Sequence, residues 1–183
     1  MSTSASDSRA DPPARGRDTP DRSAEFTPEH RAALDLRRTD QDRTLAAVHA
    51  LEAALAAAAP GREATWHDQV RAALDVLGEA TAEEEHNAAE PDSLLSDVAR
   101  TQPRLRTRVR GLRAQYRQVR TTIDTLRHEL GATDVDPDVA DLRQRLAWLL
   151  ASLRHQRARE SDLIYEAYYD AFNRELEQDA RQS

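Results

Sequence analysis

Near the carboxyl end, Gln156 and Glu160 stand inside an otherwise apolar stripe of Leu142, Leu146, Leu149, Leu153, Ile164 and Ala167. The spacings are three and four, so at about 100° per residue all eight side chains leave one side of a helix. An unpaired buried polar group costs about 1 to 3 kcal/mol. Two of them one turn apart therefore need partners, a metal ion or an open end of the structure. Other stretches repeat the pattern. Trp66, Val70, Leu74, Leu77, Thr81, Glu84 and Ala88 share one face, and a stripe of Leu45, Val48, Glu52, Leu55 and Ala59 has His49 at its edge. A third face carries Leu105, Val109, Leu112, Tyr116, Val119, Ile123, Leu126 and Leu130. Bundles that hold cations place inward carboxylates and imidazoles on facing helices in this way.

Cysteine is absent, which excludes disulfides, thiolate metal sites, iron–sulfur clusters and a cysteine nucleophile together. Any metal must be held by His, carboxylate or Tyr. Lysine is absent too, so all 26 basic residues are arginine, as coding bias from a GC-rich genome produces. The net charge of -7 argues against a nucleic-acid or anionic-membrane binder. The longest apolar run, Ala53 to Ala59, falls far short of the roughly 20 residues that span a bilayer. Sequence signatures of serine hydrolases, zinc proteases and phosphate-binding loops are missing.

These stripes must be positioned by helices. Residues 1–26, rich in Ser, Pro, Asp and Arg without an apolar stretch, read as a disordered tail of a cytoplasmic protein. Residues 27–183 read as one bundle domain. Thr27-Pro28-Glu29 has the chemistry of a helix start, with a restart at Thr39-Asp40 making the opening helix short, and Pro60-Gly61 as its stop. The second helix ends near Glu90-Pro91. Residues 92–100 bridge to Pro103, a first-turn residue for the third helix, whose seam alternates spacings of four and three like a heptad repeat. Gly131 ends that helix and Asp136-Pro137-Asp138 caps the fourth. No alternating strand pattern competes. Short connections favour antiparallel neighbours, so the expectation is an all-α, up-down-up-down four-helix bundle.

With WHDQV, PDSLL, QPRLR and DLIYEAY, and with polar core positions in this register, the stretch from Leu45 to Tyr168 resembles the hemerythrin-like, or HHE cation-binding, family. That resemblance implies a four-helix bundle around a non-haem di-iron centre. It makes His49 the retained first-helix histidine and Glu160 the retained glutamate of the fourth-helix pair. Glu84 stands where the second helix should carry histidine, and Ala88 where it should carry glutamate. Tyr116 and Gln156 replace the histidines of the third and fourth helices. The implied centre is degenerate: His49, Glu84, Tyr116 and Glu160 remain as the candidate metal set, with Gln156 at a lost ligand position.

Alternatives stand beside each residue. Glu84 and Glu160 either join a cation site, sit at a hydrated end of the bundle, or pair with Arg113, Arg117 or Arg157, and Tyr116 is either a ligand or a core filler bonded to a carboxylate or water. His30, His67, His86, His128 and His155 lie off the stripes and read as solvated. Arg106, Arg110, Arg113, Arg117 and Arg120 flank the third seam, where charges usually bridge to a neighbouring helix. Tyr165, Tyr168, Tyr169 and Phe172 form an aromatic group that either marks an interface for a protein partner or a second copy, or packs on the first helix. Two functions follow: a non-enzymatic binding or scaffold protein with a degenerate centre, or a non-haem iron protein for oxygen, iron or redox sensing with an altered ligand set.

Overall fold

The structure, a computed structural model, describes residues 27–57, 61–131 and 138–182, with side chains as far as Tyr169. Expectations for residues 1–26, Ala59-Pro60, Asp136-Pro137 and the side chain of Phe172 lie outside the described residues. Thr27 caps α1 (Pro28–Ala56): its hydroxyl accepts from the His30 amide, and the His30 ring accepts from the Thr27 amide in return. The helix then runs unbroken past Thr39 and Asp40, so the expected restart there is corrected. Asp40 lies inside the helix and faces the interior. Gly61, with φ at 78°, takes the turn into α2 (Glu63–Ala89).

Residues 92–100 do more than bridge. Ser93 caps the short α3 (Leu94–Thr101), which buries Leu94, Leu95 and Val98 against one end of the bundle. A 3-10 turn at Pro103–Leu105 leads into α4 (Arg106–Gly131), and the Asp138 carboxylate caps α5 (Val139–Gln182) by accepting from the Ala140 amide. Among the described residues the fold is all α, four long helices and one short one, and no helix is long and apolar enough to cross a membrane.

Adjacent long helices run antiparallel. Asn87 reaches Asp40 and Glu84 reaches Thr44 between α1 and α2; Arg127 meets Asp75 and Tyr116 meets Glu84 between α2 and α4. Arg145 meets Glu129 and Arg108 meets Glu166 between α4 and α5, while Arg37–Glu160 and Arg143 to the Leu55 carbonyl close α5 onto α1. The expected up-down-up-down order is present.

The α4 seam is buried as its spacing implies, from Leu105 to Leu126. In α5 the expected stripe is buried through Gln156 and Glu160 to Ile164. The α1 face is rotated from its expected position: Thr44, Ala47, Val48, Leu51 and Ala54 face inward, while Leu45 and His49 are exposed and Glu52 is half-buried. Ala47 and Ala54 are buried in the core, while the bulkier Leu45 stays outside.

The apolar interior forms two blocks. One gathers Leu51, Leu74, Leu77, Ile123, Leu126, Leu146 and Leu149; the other gathers α3 with Leu105, Leu112, Leu163, Ile164 and Tyr168. Along each long helix the inward polar residues fall between them: Asp40, Gln41 and Thr44 on α1, Thr81 and Glu84 on α2, Tyr116 on α4, Gln156 and Glu160 on α5. The bundle therefore contains one polar layer at one height.

Candidate functional site

Each polar group in the layer is carried by the same heptad-like register that buries the leucines above and below it. The Glu84 carboxylate accepts from the Thr44 hydroxyl at 2.6 Å and from the Tyr116 hydroxyl at 3.3 Å. Glu160 accepts from Arg37 Nε at 3.2 Å and from the Gln41 side-chain amide at 3.3 Å. Arg37 also donates to the Ser161 hydroxyl, and Arg157 donates to the Gln41 main-chain carbonyl. Asp40 accepts from the Asn87 amide at 3.0 Å. Burial pushes the Glu84 carboxyl above its ordinary value, with the charges of Glu160 and Asp40 adding to it and the bonds from Thr44 and Tyr116 opposing it. The Tyr116 phenol is raised well above its usual range, first by burial and then by the charges of Glu160 and Glu84. It remains protonated and acts as a donor.

A second constellation lies nearer α3. Asp97 accepts from the Tyr168 hydroxyl at 2.6 Å, from Arg100 at 2.6 Å and faces His30 Nε2 at 3.3 Å. Since the other ring nitrogen of His30 accepts from the Thr27 amide, Nε2 is the protonated one and donates to Asp97. Burial alone would raise Asp97; bonds from Tyr168 and Arg100 outweigh it and hold the carboxyl below its ordinary value. A cleft of about 800 Å³ between α1, α2 and α3 joins the two constellations, with His30, Arg37, Asp40, Glu84, Asp97 and Glu160 among its walls. A smaller cleft of about 120 Å³, between α1 and α5, reaches Glu84 from the other side.

Of the candidate metal set, the structure brings Glu84, Tyr116 and Glu160 together. His49 stays on the exposed face of α1 and shares with Glu84 only the wall of the smaller cleft. Gln156 is buried, and its Oε1 finds no donor. The expected arginine partners are corrected: Glu160 pairs with Arg37, and Glu84 pairs with no arginine among the described residues. Arg113 instead donates to Ser96. Asp40, Gln41, Thr44, Arg37 and Asn87 were not anticipated. Continuing the Leu51–Ala47 register backward by fours and threes lands on Thr44, Asp40 and Arg37 and would have found three of them.

His30 and His67, expected in solvent, are half-buried, and His30 caps its helix; His86, His128 and His155 are exposed as expected. Most α4-flanking arginines that have partners bridge elements as expected, Arg120 to Glu85 and Arg106 to the Ala99 carbonyl among them. The aromatic group divides: Tyr168 is buried with its ring 5.3 Å from that of His30, while Tyr165 and Tyr169 are exposed and meet edge to face.

These residues do not fit a di-iron centre. Both oxygens of Glu160 accept N–H bonds from Arg37 and Gln41, both oxygens of Glu84 accept hydroxyls, and the tyrosine is protonated. Among the described residues no group of three or more His, Cys, Asp or Glu side chains converges in a way that could hold a metal ion. No family model, curated protein or solved structure matches the chain.

Proposed function

We propose that this chain is a non-enzymatic binding protein on a hemerythrin-like bundle, in which a hydrogen-bonded arginine–carboxylate–tyrosine layer takes the place of a metal centre. The observation that carries the reading is Arg37. Its guanidinium supplies the positive charge that Glu160 needs in the interior, and a second cation beside it is repelled. The layer is reached through the larger cleft, which is of a size that ordinarily holds small ligands. Metal analysis of protein purified without chelator or affinity metal tests the reading. The expected result is less than a tenth of an equivalent of iron, manganese or zinc, with an unchanged melting temperature when each is added. Near-stoichiometric metal that is lost in Glu160→Ala overturns it and restores an iron-binding, sensing role.

A further inference from the structure

We propose that the smaller cleft, between α1 and α5, binds a small neutral amide, a lactam or short carboxamide, that donates its N–H to Gln156 Oε1 and accepts from Arg157 through its carbonyl oxygen. This rests on the reading of the bundle as a metal-free binding protein and gives that protein a ligand class.

Gln156 is 4% exposed, and its Oε1 meets no donor. A buried acceptor left unbonded is costly, whereas a leucine at this position would continue the stripe of Leu149 and Leu153 with nothing to satisfy. Gln156 lines the smaller cleft and not the larger one, so a donor from outside reaches its amide from the α1–α5 side. Arg157, the next residue, lines the same cleft and is half-buried. It donates to the Gln41 main-chain carbonyl at 3.4 Å and forms no ion pair among the described residues. A guanidinium carries five N–H donors, so most of its capacity is unused. One wall thus lacks a donor and its neighbour lacks an acceptor.

A lactam or carboxamide supplies both from adjacent atoms. A cation would add charge beside Arg157 and the Arg154–Glu52 pair that also borders the cleft. A carboxylate would meet Arg157 but set a second oxygen against Gln156 Oε1, near the Glu84 carboxyl. A neutral ligand avoids both. The remaining wall is apolar, with Leu45, Val48 and Leu153 to cover a short hydrocarbon ring or chain. At about 120 Å³ the space lies below the roughly 300 Å³ at which drug-sized sites begin, which limits the ligand to a few heavy atoms.

Ligand-observed NMR titration of the full chain with 2-pyrrolidinone, γ-butyrolactone and propionate tests the assignment. The lactone has the shape of the lactam without its N–H, and propionate is the anionic alternative. The expected result is one 2-pyrrolidinone per chain, with the lactone bound at least tenfold more weakly because the site is left with an unpaired acceptor. Gln156→Leu and Arg157→Met should each weaken the lactam at least tenfold. Leu36→Ala, in the wall of the larger cleft only, leaves its affinity unchanged. Circular dichroism establishes that each variant is folded, and the lactone comparison on the unaltered chain stands without any variant. No lactam binding, equal binding of the lactone, tighter binding of propionate, or equal weakening by Leu36→Ala overturns the proposal. Its failure leaves the protein metal-free, whereas failure of the underlying reading appears separately as metal uptake.

Discussion

Arg37 and Glu160, 123 positions apart in the chain, meet across the interior between α1 and α5, Nε to Oε1 at 3.2 Å. The pair joins the first and last long helices at the polar layer, where neither apolar block holds them together. Removing one partner leaves the other charge in a site built for two. Arg37→Met is expected to lower unfolding free energy by about 3 kcal/mol. Combining it with Glu160→Gln should recover more than half of that loss. Urea denaturation of the single and double variants measures both; strict additivity would mean that the pair contributes no coupling.

Glu84 makes stability fall as pH rises. Its folded-state carboxyl lies above the ordinary 4.5, so between that value and the folded value the unfolded chain releases its proton first. Below 4.5 both states are protonated and the group contributes nothing to the pH dependence. Glu84→Gln removes the ionisation while Thr44 and Tyr116 keep an oxygen to bond. The variant should show a smaller loss of stability on going upward from pH 4.5, read from urea midpoints at half-unit steps. An unchanged slope would rule out Glu84 as its source.

Asp97 acts in the opposite sense. Its folded-state carboxyl is held below 3.8, so its contribution is present above 3.8 and disappears as pH falls through the folded value. Tyr168→Phe deletes the 2.6 Å bond and should cost about 2 kcal/mol at neutral pH. It should also reduce the stability lost on acidification. Thermal unfolding of the two proteins between pH 2.5 and 7, on the order of ten points, separates this from a simple packing defect, which shifts every point equally.

Long helices with bulky stripes were legible because leucine, valine and isoleucine at spacings of three and four have a single reading. The whole α4 seam was of this kind, and so was the α5 stripe, where leucines on either side of Gln156 and Glu160 fix which way those two point. The α1 half of the site was not legible. Its inward positions are Arg37, Asp40, Gln41 and Thr44, so no bulky apolar side chain marks this stretch of the face before Val48, and Asp40 after Thr39 imitates a helix start. The partner of Glu160 was out of reach for a related reason. Sequence spacing identifies faces within a helix, whereas the choice of Arg37 over Arg157 depends on how α1 is rotated against α5.

That rotation has a direct consequence for packing. Leu51 is fully buried in the block shared with α2 and α5, and Leu45, six residues earlier, is 38% exposed beside the smaller cleft. Truncating Leu51 removes its transfer energy and leaves a cavity among side chains that cannot collapse into it, a cost of about 3 kcal/mol. Leu45→Ala removes a side chain that water already reaches and replaces it with a better helix former, so the expected cost is below about 1 kcal/mol. Urea unfolding of the two variants distinguishes the registers. Equal losses, or a larger loss at Leu45, would place α1 in the rotation that its leucines alone imply and would move Thr44 and Asp40 out of the polar layer.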